Sequence, residues 1–175
     1  MEYFANYPLI TQMRADCELL KRINDIMLNK QHITEDGLHK IVALKASMNS
    51  GLPASLQDVF NKVTPVERPL IKDQIIPDPS WLAGFSSAEG CFIVRIFKTA
   101  ETNLGFAVKL EFILTQHWRD EQLMTSLINY LNCGRVYKNK SGSMNFKVTK
   151  FYDLENVIIP FFKKHMILGI KSKDF

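Results

Sequence analysis

Four of the seven prolines in this chain (Pro65, Pro69, Pro77 and Pro79) fall within residues 61–80, and Pro53 lies just upstream. Proline has no amide hydrogen and its ring crowds the preceding turn, so such a stretch sustains neither a helix nor a central strand. It reads as an extended linker that divides the 175 residues into a shorter N-terminal piece and a longer C-terminal one. The two pieces differ in periodicity and in charge.

Upstream, the spacing predicts an amphipathic helix over 13–29, with Met13, Leu19, Leu20, Ile23, Ile26 and Met27 near one stripe. A second helix is expected from Thr34, whose hydroxyl can cap the first turn, while Glu35 and Asp36 suit the positive end of its dipole. Asn49-Ser50-Gly51 is its expected stop. Residues 1–60 hold six Lys/Arg against seven Asp/Glu, whereas residues 81–175 hold thirteen against eight, so the excess behind the net +4 lies after the linker.

An apolar share of 46% with 12 Phe excludes a disordered or collagen-like chain. No apolar run is long enough to span a bilayer, and no membrane association is expected. The first sixteen residues have neither the basic, apolar pattern of a secretory leader nor the Arg-rich character of a transit peptide. Cys17, Cys91 and Cys133 are odd in number and widely spaced, which fits reduced thiols rather than a disulfide framework or a metal pair.

After the linker the pattern becomes a short helix to about Gly90, then strands over 91–98 and 106–115, a helix over 119–131, strands over 134–140 and 145–150, and a helix over 153–162. That order predicts an α+β domain with a four-stranded antiparallel sheet and helices on one face. Alternation sorts the strand residues into two sets. Phe92, Val94, Ile96, Val108, Leu110, Phe112, Leu114, Val136, Phe146 and Val148 should pack on the helices. The opposite face carries Arg95, Phe97, Lys109, Glu111, Thr115, Arg135, Tyr137, Asn145, Lys147 and Thr149. A solvent-facing sheet alternates in the same way. The mixture of cations, amides, hydroxyls and one acid also matches base edges in a DNA major groove.

The most specific segment is Trp81-Leu82-Ala83-Gly84-Phe85-Ser86-Ser87-Ala88-Glu89-Gly90. Gly84 and Ala88, four residues apart, let a second helix backbone approach closely. Glu89 stands at the C-terminal end of this helix, where the dipole disfavours an acid, which suggests a bound cation; an exposed helix-end Glu is the plain alternative. The segment resembles the signature helix of the LAGLIDADG homing endonucleases, through Leu82, Ala83, Gly84, Ala88, Gly90 and the acid at Glu89. The αββαββα order agrees, as do Thr115-Gln116-His117 and Val148-Thr149-Lys150-Phe151 at strand ends. Residues 1–60 resemble the closing helices of a first domain in two-motif members, residues 61–80 their linker, and residues 81–175 their second domain.

This resemblance implies site-specific, divalent-metal-dependent cleavage of double-stranded DNA, with the sheet in the major groove. Glu89 would ligate Mg²⁺, Gln116 would order water at the edge of the site, and Lys150 would polarise the phosphate. Arg95, Lys109, Arg135 and Lys147 would meet guanine or phosphate, Asn145 adenine and Glu111 cytosine. Only one signature helix is present where two acids are needed, so the resemblance implies a homodimer or a complementary half. A non-cleaving remnant or an intron-RNA maturase of the same fold is the alternative. Family habit implies a mitochondrial, intron-encoded gene. Phe4, Tyr7-Pro8-Leu9-Ile10 and Asp16 are also spaced like Phe162, His165-Met166-Ile167-Leu168 and Asp174. Read as a repeat, this permits residues 7–50 to stand in for helices expected after Asp174.

Overall fold

The structure is a computed structural model that describes residues 6–175. Phe4, the first member of the end-to-end similarity, lies outside the described residues. The chain forms two compact units, Met1–Asp73 and Gln74–Phe175.

The first unit is helical: α1 spans Met13–Leu28, α2 Glu35–Ala46 and α3 Ala54–Val59. The Thr34 hydroxyl accepts from the Gly37 amide at 3.1 Å, so α2 starts where its cap requires. It stops at Ala46, and Asn49 and Gly51 take positive φ just beyond. Leu19, Leu44 and Met48 form the buried centre, with Ile23, Ile26 and Val66 against them. Of the expected stripe, Met13, Leu20 and Met27 are exposed instead. They turn away from the side on which α2 packs, because one neighbouring helix covers only a narrow strip of α1.

Residues 61–78 contain neither helix nor strand, as the prolines require. They are nevertheless built into the units rather than solvated throughout. Arg68 binds both Asp16 oxygens, with Nη2 2.8 Å from Oδ2, and donates to the carbonyl oxygens of Ser47 and Gln12. Gln12 and Ile71 exchange amide hydrogen bonds. In the second unit, Gln74 is buried and donates to Asp120, and Ile76 is buried.

The second unit opens with α4, Pro79–Glu89. Asp78 caps it by accepting from the Trp81 amide at 3.0 Å, and Pro79 sits in the first turn, where no amide hydrogen is missed. The strands are β1 Gly90–Lys98, β2 Phe106–His117, β3 Arg135–Lys138 and β4 Ser143–Val148, in the order β1-β2-β4-β3 with every neighbour antiparallel. Helix α5, Glu121–Leu131, connects the two hairpins. Helix α6 runs over Phe151–Asp153, widens to a π-turn at Leu154–Ile158 and continues through Ile159–Lys164. Pro160 lies just beyond the widened turn, which relieves the backbone crowding a proline brings into a helix.

Phe112, Leu114, Phe146 and Val148 are buried on the helix side with Leu82, Leu123, Leu127 and Phe162. Val94, Ile96 and Val108 point to that same side but are exposed. The β1–β2 hairpin extends past the helices, so alternation gives the face of these residues correctly but not their burial. Phe175 returns to the core edge, its ring 5.1 Å from that of Phe92.

Candidate active site and nucleic-acid interface

The junction from α4 to β1 is sterically constrained. A Cβ added at Gly90 would lie 2.4 Å from the Ser86 carbonyl oxygen, so only glycine permits the chain to leave the helix at this angle. Gly84 is the opposite case: a Cβ there meets nothing within 4 Å. Gly84, Ala88 and Glu89 are exposed, while Leu82, Ala83 and Ser86 are buried. The α4 helix therefore buries one side in its own unit and leaves its small-residue side open, along a groove flanked by His165, Met166 and Leu168.

Beside Glu89 the structure places a cation that sequence reading did not single out. The Lys171 ammonium donates to the carbonyl oxygens of Ala88 and Gly90, both at 2.9 Å. These are the backbone carbonyls on either side of Glu89. The segment carrying Lys171 turns at Gly169 (φ +83°), forms a 3-10 helix over Ile170–Lys173, and is tied to α4 again where the Ser87 hydroxyl donates to the Leu168 carbonyl at 3.0 Å. Lys171 answers the negative end of the helix dipole at the point where an acid is otherwise disfavoured. The sequence signal was slight, since the partners are 81 and 83 positions away.

Lys150 lies just beyond β4, in the cleft lined by Arg135, Lys147 and Thr149, a group that does not include Glu89. The strand expected to reach residue 150 ends at Val148 because α6 starts at Phe151. Gln116 is on β2, and its side-chain oxygen accepts from the next amide, that of His117, at 2.8 Å. In register Gly90 is opposite Leu114, so Glu89 emerges at the β2 end that carries Thr115 and Gln116.

The polar face is assembled by the pairing register. Arg95 faces Lys109, and Phe97 faces Ala107. On the other side of the sheet centre, Lys147 lies between Ile113 and Arg135, and Asn145 between Thr115 and Tyr137. Thr149 is past the strand end. Glu111 is buried, with oxygens 2.9 Å from Arg95 Nε and 3.2 Å from Lys109 Nζ. Burial works against its charge, but hydrogen bonds from Lys109 and Arg95 and their positive charge outweigh this and hold the carboxyl below its usual range. Glu111 is thus committed to two cations of its own face. The Thr115 hydroxyl donates to the Asn145 side-chain oxygen at 2.9 Å, and the Lys147 ammonium lies 5.9 Å from the Tyr137 ring centre. Cys133 also lines the Lys147 cleft; burial, helped by Asp153, pushes its thiol up to about 11.

Glu89 presents an exposed carboxylate at the end of α4, next to carbonyl groups that the Lys171 ammonium occupies. A free carboxylate is the kind of oxygen ligand that a hard divalent cation takes. Among the described residues, no three His, Cys, Asp or Glu gather to hold a metal.

Comparison with known proteins agrees with this geometry. The chain is 41% identical over 175 residues to a probable intron-encoded endonuclease 3 of Neurospora crassa, matching 99% of this chain and 33% of that protein. It is 28% identical over 100 residues to an uncharacterized 50.9 kDa protein in ND4 intron 1 of Podospora anserina, covering 56% of this chain and 22% of the other. The homing endonuclease I-SmaMI, solved with cleaved DNA and with an uncleaved target in the presence of calcium ions, superposes with a TM-score of 0.96 at 44% identity. That match covers 99% of this chain and 58% of the I-SmaMI chain in the cleaved complex. This chain thus spans about a third of its first curated relative and under two thirds of the solved enzyme. The profile of the LAGLIDADG endonucleases matches residues 82–175. The chain belongs to the LAGLIDADG endonuclease family.

Proposed function

We propose that this chain is one acid-bearing half of a homing endonuclease that cleaves double-stranded DNA at a specific site with divalent metal. The observation that carries this reading is the α4 helix: its small-residue side is open at Gly84 and Ala88, and it ends in the exposed acid Glu89. A second signature helix, from another copy of this chain or from a complementary half, packs on that side and contributes the second acid. Magnesium is the cation, and when bound it supplies charge stabilisation at the attacking and leaving oxygens of the phosphodiester.

Within this chain, Glu89 holds the cation and Lys171 fixes the peptide groups around it. Gln116 reaches the water at the edge of the site. Lys150, in the Lys147 cleft, is the cation that polarises the phosphate. Arg95 and Lys109, held in place by Glu111, face the major groove with Phe97, Thr115, Asn145 and Tyr137, while Arg135, Lys147 and Thr149 complete the interface. Glu111 acts on the DNA through the two cations it orients. The gene is of mitochondrial intron origin, a reading supported by relatives named for introns.

The test selects duplexes from a random pool with the full chain, then assays the selected duplex for Mg²⁺-dependent cleavage by wild type and Glu89→Gln. Cleavage by wild type and none by the variant is expected. Equal behaviour of the two removes the assignment of Glu89. Selective binding with no cleavage by either favours the non-cleaving remnant.

A further inference from the structure

Two like-charged pairs face one another across this sheet, and their surroundings differ. Arg95 lies opposite Lys109 on β1–β2, and Arg135 lies opposite Lys147 on β3–β4. Like charges placed directly opposite on paired strands repel, so each arrangement costs stability unless an anion offsets it. At the first pair the anion is built in, since the buried Glu111 carboxylate bonds both cations. At the second pair, among the described residues, neither Arg135 nor Lys147 forms an ion pair.

Arg135 and Lys147 instead open onto a cleft of about 430 Å³ that a third cation, Lys150, also lines. Thr149 adds a hydroxyl and Asn132 an amide, so the walls are rich in donors for an oxyanion. Asp153 is the carboxylate of the lining, set against three cations. The cleft is open to solvent at Arg135, Thr149 and Lys150, which are exposed.

We propose that this cleft binds a phosphodiester of the DNA backbone, which does for Arg135 and Lys147 what Glu111 does for Arg95 and Lys109. The proposal rests on the DNA reading above and divides the polar face by task. The planar guanidinium of Arg135 suits the paired oxygens of a phosphate, and the Lys147 and Lys150 ammonium groups add charge from the same wall. Such contacts set register on the duplex without reading sequence. Base reading then falls to the neighbouring Asn145–Thr115 pair and to Tyr137, on the next row of the sheet.

Two probes test this on the full chain. In the first, inorganic phosphate is titrated at constant ionic strength while the backbone amide signals of Gly134 and Val148 are followed. They shift in wild type and not in Arg135→Met/Lys147→Met. In the second, binding to a pool of random duplexes is measured against salt. The double variant should lose affinity evenly across sequences, about tenfold, and its log–log salt slope should fall by about one. Arg135 is exposed and Lys147 half-buried, and removing their mutual repulsion leaves the fold intact, so the variant remains measurable. An unchanged slope overturns the proposal, as does a loss confined to duplexes with guanine at one position, which marks base reading. Phosphate shifts in a wild type that binds no duplex overturn the DNA reading and assign the cleft to a free phosphate.

Discussion

The ammonium of Lys171 bridges the two carbonyls that flank Glu89, 2.9 Å from each, and so immobilises the backbone from which that acid projects. Neighbours that orient a metal-binding side chain typically change metal affinity or rate by about ten- to a hundredfold when removed. Lys171→Met should therefore slow cleavage of a selected duplex by at least about tenfold while changing DNA affinity less than about twofold. Lys171→Arg should restore part of the rate. A parallel fall in binding would make Lys171 a DNA contact rather than an aid to Glu89.

The two glycines of α4 should respond with opposite signs. Gly90→Ala drives a Cβ to 2.4 Å from the Ser86 carbonyl oxygen, a backbone clash with no flexible partner, and should cost about 2–3 kcal/mol in urea unfolding. Gly84→Ala meets nothing within 4 Å and should stabilise the isolated chain by up to about 1 kcal/mol through helix propensity. The same added methyl should weaken assembly on that side of α4, read by sedimentation.

Glu111 makes stability acid-sensitive in a definite direction. Its folded pKa is depressed, so its contribution is complete above its unfolded value of about 4.3 and fades as pH falls through the lower folded one. Because both partners are about half exposed, Glu111→Gln should cost only about 1 kcal/mol at pH 7. Below about pH 4.3 the variant should lose stability less steeply than wild type. Parallel curves in urea melts across that range would contradict this role for the carboxylate. Arg135→Met, by contrast, relieves repulsion and should raise the melting temperature slightly in phosphate-free, low-salt buffer.

In the first unit, Arg68 joins Asp16 to two backbone carbonyls, and both side chains are mostly shielded from solvent. Arg68→Met should destabilise that unit by about 2 kcal/mol, less than a fully buried pair because part of each group still touches water. Hydrogen exchange in α1 should accelerate with it.

The three thiols should also separate. Cys91 is exposed, whereas Cys133 is buried with its pKa raised to about 11 by burial and by Asp153. At pH 8, where the thiolate is the reactive form, alkylation should reach Cys91 first and Cys133 only on unfolding. Peptide mapping of partly labelled protein checks the order.

Local signals carried much of this structure. Thr34 caps a helix with its own hydroxyl, and alternation over two-residue steps put Arg95, Lys109, Arg135 and Lys147 on one face before any pairing was known. What escaped depends on chain segments meeting at long range. Alternation gives the direction of Val94, Ile96 and Val108 but not whether a helix covers them. Proline excludes regular structure from residues 61–78, yet does not keep Gln74 or Ile76 at the surface. Lys171 carries no local signal, and only the return of the chain past Gly169 brings it to the carbonyls flanking Glu89. The strand expected to reach residue 150 ends at Val148, because the start of α6 at Phe151 depends on packing against the sheet.

Under the proposed DNA-binding role, the carboxylate shared by Arg95 and Lys109 couples changes at the positions it joins. Replacing either cation alone leaves the buried Glu111 with a single partner, so a change at 95 or 109 also carries a stability cost of up to about 1 kcal/mol. Substitutions at 95, 109 and 111 should be strongly epistatic and tolerated mainly as matched sets. Position 145, resting on a neutral hydroxyl, can change one residue at a time. A library that randomises those three positions together and position 145 separately follows the grain of this sheet.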